Sequence, residues 1–313
     1  VKYSITIPAY KARFFDECLQ SVLSQTVDDY EVIVLNDCSP EDIKGIADRH
    51  ACPRLRYYEN ERNVGAVDVV DNWNRLLELA QGDFVICMGD DDKLAPDCLE
   101  QYDRLMQQHP GLDVYHARVL SIDEKSQVCN IQDDRPDWES AYSFMWHSSR
   151  ISYIGDFCLR ASVLRQQGGY VKFPLALSSD HATVELVAKR LGIANMHKPV
   201  FLYRSSHYTI TSSGDARLEV EASELKKQWD INFLSDEPQD EIDRLYKRLY
   251  LESMDARVLR NRTEYMGADM SRHALGGLFY WLKNANRYQI PKMNVAYAFL
   301  KSFYYRKQGY YNR

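Results

Sequence analysis

The sequence predicts an α/β fold with a mainly parallel central sheet flanked by helices, followed by a helical C-terminal appendix. Three observations carry this expectation. Residues 1–115 alternate short apolar runs with amphipathic segments, the pattern of parallel strands joined by crossover helices. Polar clusters stand directly after three of those apolar runs. From Glu219 onward the chain reads as mostly helical, rich in Lys, Arg and Tyr near its end, with no internal repeat or low-complexity tract.

Taken in order, the runs at 3–7, 31–35, 55–58, 84–88 and 113–117 hold the β-branched and apolar residues that buried strands prefer. Between them, Phe15, Cys18, Leu19, Val22 and Leu23 recur at helical spacing, as do Val70, Trp73, Leu76, Leu77 and Ala80. Ser39-Pro40-Glu41-Asp42 resembles a helix start, with Ser39 as the better-placed cap and Pro40 at the first helical position. Beyond residue 115 the pattern is irregular: 123–139 is polar, Gly168-Gly169 marks a turn, and a helix is expected over 181–190. The boundaries this suggests are 1–115 and 116–214 as two halves of one domain, and 215–313 as a helical extension.

Composition excludes several classes. With 313 residues and a formal net charge of -6, the chain has no global field for a polyanion, and the first two thirds hold no basic patch for nucleic acid. The seven cysteines (Cys18, Cys38, Cys52, Cys87, Cys98, Cys129, Cys158) are scattered and never spaced C-x-x-C, which argues against a disulfide framework or a structural zinc site and for a reducing cytoplasm. The chain opens at Val1 on an apolar strand pattern, with no signal peptide to read. No apolar run approaches the ~18 residues of a membrane span, so the expectation is a soluble protein or one peripheral at the inner face of a membrane. Lys301, Tyr304, Tyr305, Arg306 and Lys307 could dock there or on a partner, although a solvated helix face is the commoner meaning of such a run.

In an open α/β sheet the ligand crevice lies beyond the carboxyl ends of the strands. Pro8-Ala9-Tyr10, Asn36-Asp37-Cys38-Ser39 and Gly89-Asp90-Asp91-Asp92 all fall there. Three adjacent carboxylates repel one another and persist most easily when a cation or hydrogen-bond donors offset them. Mg²⁺ or Mn²⁺, held by one or two carboxylates and phosphate oxygens, suits a nucleotide diphosphate. The alternative is a solvated acidic loop capping a helix that begins near Pro96. Asp37 could accept hydrogen bonds from a base or ribose, or cap a helix; Tyr10 could stack on a nucleobase or simply pack.

The order and spacing of these pieces resemble the family 2 glycosyltransferases of the GT-A fold, an inverting group that builds polysaccharides and other glycans. ITIPAY resembles the family's opening strand and nucleotide-binding turn, EVIVLNDCSPED its uracil-contacting strand and loop, and RNVG with NWNRLLELAQGDFVICMGDDDKLAPDCLE its central block. The likeness covers roughly residues 3–210. It implies that Pro8, Ala9, Tyr10 and Asp37 contact the donor's nucleoside, that Asp90 approaches the ribose, and that Asp91 binds the Mn²⁺ or Mg²⁺ bridging the diphosphate. Residues 1–115 become the nucleotide-sugar-binding half and 116–214 the acceptor-binding half. Two departures stand out: Gly89 occupies the first position of the family's Asp-x-Asp-Asp, and Asn72-Trp73-Asn74 replaces its frequent Ala-Arg-Asn, removing an Arg that would meet the nucleotide.

LALSSDHATVELVAKR resembles the element that carries the family's catalytic base, with Asp180 at the matching position; its other reading is a helix cap. VFLYRSSHYTITSSG resembles the Tyr-Arg segment that closes over the diphosphate, which makes Arg204 a phosphate partner and His207 a second candidate metal or phosphate ligand. Gly155 and Asp156 are expected along the acceptor groove. The implied reaction is inverting transfer of a hexosyl or N-acetylhexosaminyl group from a nucleotide-diphosphate sugar, a UDP-sugar first, to a hydroxyl of a glycan or lipid-linked acceptor. The implied partners are donor and acceptor, no nucleic acid, and a membrane contact through the C-terminal helices. Two other readings remain: a non-catalytic nucleotide- or glycan-binding module on the same fold, and a sugar nucleotidyltransferase, for which Lys11-Ala12-Arg13 supplies basic residues without the glycines.

Overall fold

A computed structural model describes residues 1–206 and 215–308. Two units divide the chain: Val1–Lys172 with Ser179–Ser206, and Phe173–Ser178 with His207–Arg313.

The first unit runs β1 (Tyr3–Ala9), α1 (Phe15–Leu23), β2 (Tyr30–Asn36), α2 (Ile43–Arg49), β3 (Leu55–Glu59), α3 (Val69–Leu79), β4 (Phe84–Cys87), β5 (Lys93–Leu94) and α4 (Cys98–Gln108). It continues through β6 (Val114–Ile122), β7 (Val128–Ile131), β8 (Trp138–Glu139), α5 (Ala141–Trp146), β9 (Phe157–Arg160), α6 (Ala161–Gln166), α7 (Ser179–Ala188) and β10 (Ile193–Arg204). All strands join one sheet in the order β3-β2-β1-β4-β9-β6-β10-β5, with β7 paired to β6 and β8 to β10. β1 lies parallel to β2 and β4, and β2 parallel to β3. The five expected strands are present, but the fifth does not touch the fourth. β9 stands antiparallel between β4 and β6, and β6 pairs in parallel with β10.

Every residue of β2 and of β4 is buried, as strands covered on both faces must be. Alternation sorts β2: Val32 and Val34 join Ile5, Ile7, Phe15 and Leu19 in one core cluster, while Ile33 and Leu35 meet Leu76 and Ala80 from the α3 side. Each such fully buried aliphatic side chain stabilises the fold by roughly 1.5–3 kcal/mol. The sheet is therefore fixed between helices, and the loops leaving its carboxyl edge rest on a rigid base.

Helix α2 corrects one expectation. It starts at Ile43, with Asp42 as the cap accepting from Gly45 N at 2.9 Å, not at Pro40 with Ser39 as the cap. The Ser39 hydroxyl instead donates to the Tyr10 carbonyl at 2.5 Å and accepts from Glu41 N at 3.0 Å, in the turn before the helix.

The second unit holds α8 (Ala216–Phe233), α9 (Glu241–Arg272), α10 (Ala274–Asn284) and α11 (Lys292–Gln308). Asp215 and Asp240 cap α8 and α9 through their carboxylates. These helices close on Val220, Met266, Met270, Trp281, Val295 and Ala298, and the Trp281 indole N–H finds Asp269 Oδ2 at 2.7 Å. Among the described residues no helix is long and apolar enough to cross a membrane.

Candidate active site

Because β1, β2 and β4 are parallel neighbours, their carboxyl ends open on one edge, and hydrogen bonds tie the three exits together. Asp37 N donates to Ala9 O at 2.9 Å. Tyr10 N and Lys11 N donate to Asp90 Oδ2 at 2.7 and 2.8 Å. Tyr10, Asp37 and Asp90 thus meet as the sequence suggests, and the Tyr10 side chain is exposed. Pro8 and Ala9 stand inside β1, where the Ala9 methyl is wholly buried in the core. Burial, and then the Asp91 charge, push the Asp90 carboxyl up to about 6 against the pull of its two backbone donors.

Asp37 is buried and anchors the next loop: its Oδ1 accepts from Asn60 Nδ2 at 2.7 Å and Val64 N at 3.0 Å. Asn60 also donates to Asn72 Oδ1 at 2.8 Å and accepts from the Arg75 guanidinium. Trp73, at the position where an Arg is missing, is buried edge-on against Tyr170. An arginine nevertheless reaches this cluster, from Arg75. Its signal was the i, i+3 spacing with Asn72 on α3, which sets both on one helix face.

The acidic loop after β4 is held from below. Arg204 N donates to Asp92 Oδ1 at 2.9 Å, and Arg204 Nε donates to Asp91 O at 2.8 Å. The same guanidinium reaches Asp123 O at 3.0 Å, Ser126 Oγ at 3.1 Å and Glu17 Oε2 at 3.0 Å, and lies 4.2 Å from the Phe14 ring centre. Arg204 is 0% exposed. This corrects the expectation of a phosphate partner: partners from α1 and the β6–β7 turn satisfy the guanidinium, so it acts as a strut under the loop. Burial, then Asp91, drives the Asp92 carboxyl well above the usual carboxylate range.

Asp91 differs from its neighbours. Burial raises its carboxyl pKa, countered by its own backbone N–H and then by the charges of Lys11 and Arg204. No side chain among the described residues donates a hydrogen bond to it. Gly89 makes room for this arrangement, since a Cβ there would stand 2.9 Å from Asp91 Oδ1 and 3.1 Å from Asp92 Oδ2. Among the described residues no three His, Cys, Asp or Glu side chains converge as a metal cage, and His207 lies outside the described residues. The donor set on offer is one half-buried carboxylate open to oxygen ligands from a substrate, which fits Mg²⁺ or Mn²⁺.

Asp180 sits half-buried in the first turn of α7, and its charge acts on the buried Asp156. Asp156 accepts from Tyr153 N at 3.2 Å and Gln132 Nε2 at 3.4 Å, and burial lifts its carboxyl well above the usual range. Neither Gly155 nor Asp156 lines a groove, contrary to expectation. Both are buried, and a Cβ at Gly155 would meet the Phe201 ring at 2.5 Å and Met88 Cβ at 3.1 Å. Tyr153, which the sequence did not single out, and Tyr203, the Tyr of the Tyr-Arg segment, flank the acidic loop instead. Tyr153 and Tyr203 stack with ring centres 3.6 Å apart, and burial followed by the charges of Asp92 and Asp91 pushes the Tyr203 hydroxyl up to about 12.

The family model for glycosyl transferase family 2 matches residues 4–167, more than half of the chain. The chain belongs to glycosyl transferase family 2. It is a glycosyltransferase of the GT-A fold. Among relatives of this family 2 chain, chondroitin synthase of Escherichia coli is 32% identical over 101 residues, covering 31% of this chain and 14% of its own length. A Mycobacterium tuberculosis relative is 32% identical over 126 residues, a match that covers 40% of this chain and 39% of that protein. Among solved structures, residues 1–349 of S. aureus TarS in complex with UDP-GlcNAc match at a TM-score of 0.66 and 15% identity, covering 98% of this chain and 92% of that one. The mannosyltransferase PcManGT from Pyrobaculum calidifontis in complex with GDP-Man and Mn²⁺ matches at 0.54 and 15%, covering 97% and 86%. At such identities the likeness is one of fold.

Proposed function

We propose that this glycosyltransferase moves a hexosyl or N-acetylhexosaminyl group, with inversion, from a nucleotide-diphosphate sugar to a hydroxyl of a glycan or lipid-linked acceptor. A UDP-sugar is the first choice of donor, polysaccharide or cell-surface glycan synthesis the setting, and the cytoplasmic side, where such donors are available, the place. The observation that carries the reading is the Asp91 carboxylate, half-buried next to Asp90 and Asp92, with no side-chain hydrogen-bond donor among the described residues and only the charges of Lys11 and Arg204 to offset its burial. UDP-GlcNAc on TarS, and GDP-Man with Mn²⁺ on PcManGT, support the donor class and the metal.

In this reading residues 1–115 bind the donor and 116–214 the acceptor. The Tyr10 face stacks on the base, and Asp37, with one oxygen already committed to Asn60 and Val64, offers the other to the nucleoside. Asp90 holds the β1 exit in shape through the N–H groups of Tyr10 and Lys11 and brings its second oxygen toward the ribose. Asp91 would hold Mn²⁺ or Mg²⁺, which when bound offsets the charge of the departing diphosphate. Arg204 positions the loop. Asp180 takes the proton of the acceptor hydroxyl as its oxygen attacks the anomeric carbon from the face opposite the leaving diphosphate.

Calorimetry with UDP tests the donor side. Mn²⁺ should tighten UDP binding to the native protein and leave Asp91→Ala unaffected; equal tightening in both would sink the metal assignment. Asp180→Asn should keep UDP affinity while transfer falls ~10²–10⁴-fold, the usual worth of a positioned base. Full activity in that variant excludes Asp180 as the base.

A further inference from the structure

Helices α10 and α11 are each two-faced in a way their fold does not use. α10 buries Gly277 and Trp281, and its opposite face presents Leu275, Phe279 and Leu282 at i, i+4, i+7. α11 buries Val295, Ala298 and Ser302, and its opposite face presents Met293, Tyr297, Leu300 and Tyr304 at i, i+4, i+7, i+11. These outward side chains are open: Phe279 is 73% exposed, Met293 83% and Leu300 67%. Water-facing helix surfaces ordinarily put polar residues there.

Charge identifies what covers them. From Ala274 to Gln308 there are six Lys and Arg residues and no Asp or Glu, in a chain whose formal net charge is -6. Lys283, Arg287, Lys292 and Lys307 are exposed, and none pairs with a carboxylate among the described residues. α8 and α9 behave otherwise: their charges are mixed and internally paired, as in Lys226–Asp230 and Arg262–Glu224. A second copy of this face would set like charge against like charge, and a nucleic acid has no use for two apolar stripes. Apolar stripes carrying aromatic rings and flanked by Lys and Arg are the signature of helices that lie in a bilayer interface, and an anionic surface favours each basic residue near it. We propose that the outer faces of α10 and α11 dock on an anionic lipid bilayer surface. The acidic remainder of the chain is repelled by such a surface, so only this end is drawn to it.

Co-sedimentation of the full chain with vesicles tests this independently of the reaction. Vesicles of phosphatidylcholine alone are compared with equal parts phosphatidylcholine and phosphatidylglycerol. The native protein should pellet with the anionic vesicles and be released by salt. Phe279→Ser combined with Leu300→Ser, and separately Lys283→Glu combined with Lys307→Glu, should each lower partitioning ~10-fold or more, given the worth of a buried apolar side chain and of a basic residue at a charged interface. All four positions are exposed, so thermal unfolding and UDP affinity should match the native protein and certify the fold. The proposal is overturned by absent binding, by equal binding to both vesicle types, or by binding retained in both double variants. It is also overturned if light scattering finds a dimer that Phe279→Ser with Leu300→Ser dissociates while native protein ignores the vesicles.

Discussion

Two groups of buried acids in the first unit face the same electrostatic problem and answer it differently. Glu139, 2% exposed, brings its own cations: Arg150 Nη2 donates to Oε2 at 2.5 Å, Arg135 lies 3.8 Å from Oε1, and Asn195 donates to Oε1 at 3.2 Å. Asp91, beside two further carboxylates, has no side-chain donor among the described residues, and its charge raises the pKa of both Asp90 and Asp92. A compensated buried acid is part of the architecture. One at the mouth of a sheet with no side-chain donor, offset only by the charges of Lys11 and Arg204, holds like charges together at a cost that an added cation lowers.

The contrast is broken or sharpened most strongly by a pair of neutralising substitutions. Asp91→Asn should cost sugar transfer ~10²-fold or more, the scale of charge stabilisation a metal on the diphosphate supplies. Its stability to urea should be unchanged or higher, because a repelling charge is gone. Glu139→Gln should do the reverse, losing about 3 kcal/mol of stability by stranding Arg135 and Arg150 in a buried site, with kcat per folded molecule unchanged. If Asp91→Asn proves the destabilised variant, or stays active, the distinction between the two groups fails.

What could be read in advance follows the reach of each interaction. The strands at 3–7, 31–35, 55–58 and 84–88 carry their own apolar signal, and the structure places β1 to β4 over them. β9 is four residues long and owes its place between β4 and β6 to pairing across the chain, which no local pattern reports. Asp37, Asp90 and Tyr10 were legible as a group because each stands within three residues of the end of a strand at one edge. Arg204 was not legible as a strut, since its partner Glu17 lies on α1 at the far end of the sequence. Ser39 misled for the same reason: the carbonyl that claims its hydroxyl belongs to Tyr10, on another strand's exit. The helical extension was legible from composition, whereas its outward apolar faces emerged only once α9 showed which sides of α10 and α11 were covered.

A smaller effect is expected where the two halves of the sheet meet. Gly155 lets the segment before β9 lie against Met88, the residue just before Gly89, and an added methyl would press on the fully buried Phe201 ring. Gly155→Ala should therefore cost about 1–3 kcal/mol as overpacking, measured by urea unfolding. Because Met88 borders the acidic loop, affinity for UDP with Mn²⁺ should weaken alongside stability. A variant that binds normally yet unfolds more easily would show that the loop is insulated from the packing beneath it.

The smallest effect tests the strut itself, through Glu17, an acid paired with protein cations and joined to the Asp91 backbone by Arg204. Burial works to raise the Glu17 carboxyl, but hydrogen bonds from Ser126 and Lys93 and the Arg204 charge prevail and hold it below its ordinary value. A depressed folded pKa means stability that is present above the unfolded value, about 4.3 for glutamate, and lost as pH falls through the folded one. The difference in unfolding free energy between native protein and Glu17→Gln should accordingly be present at pH 7 and vanish as pH falls below about 4. Its size should stay under about 1 kcal/mol, because the Glu17 side chain is 45% exposed and solvent screens it. A difference that grows toward low pH would reverse the sign and remove Glu17 from the support of Arg204.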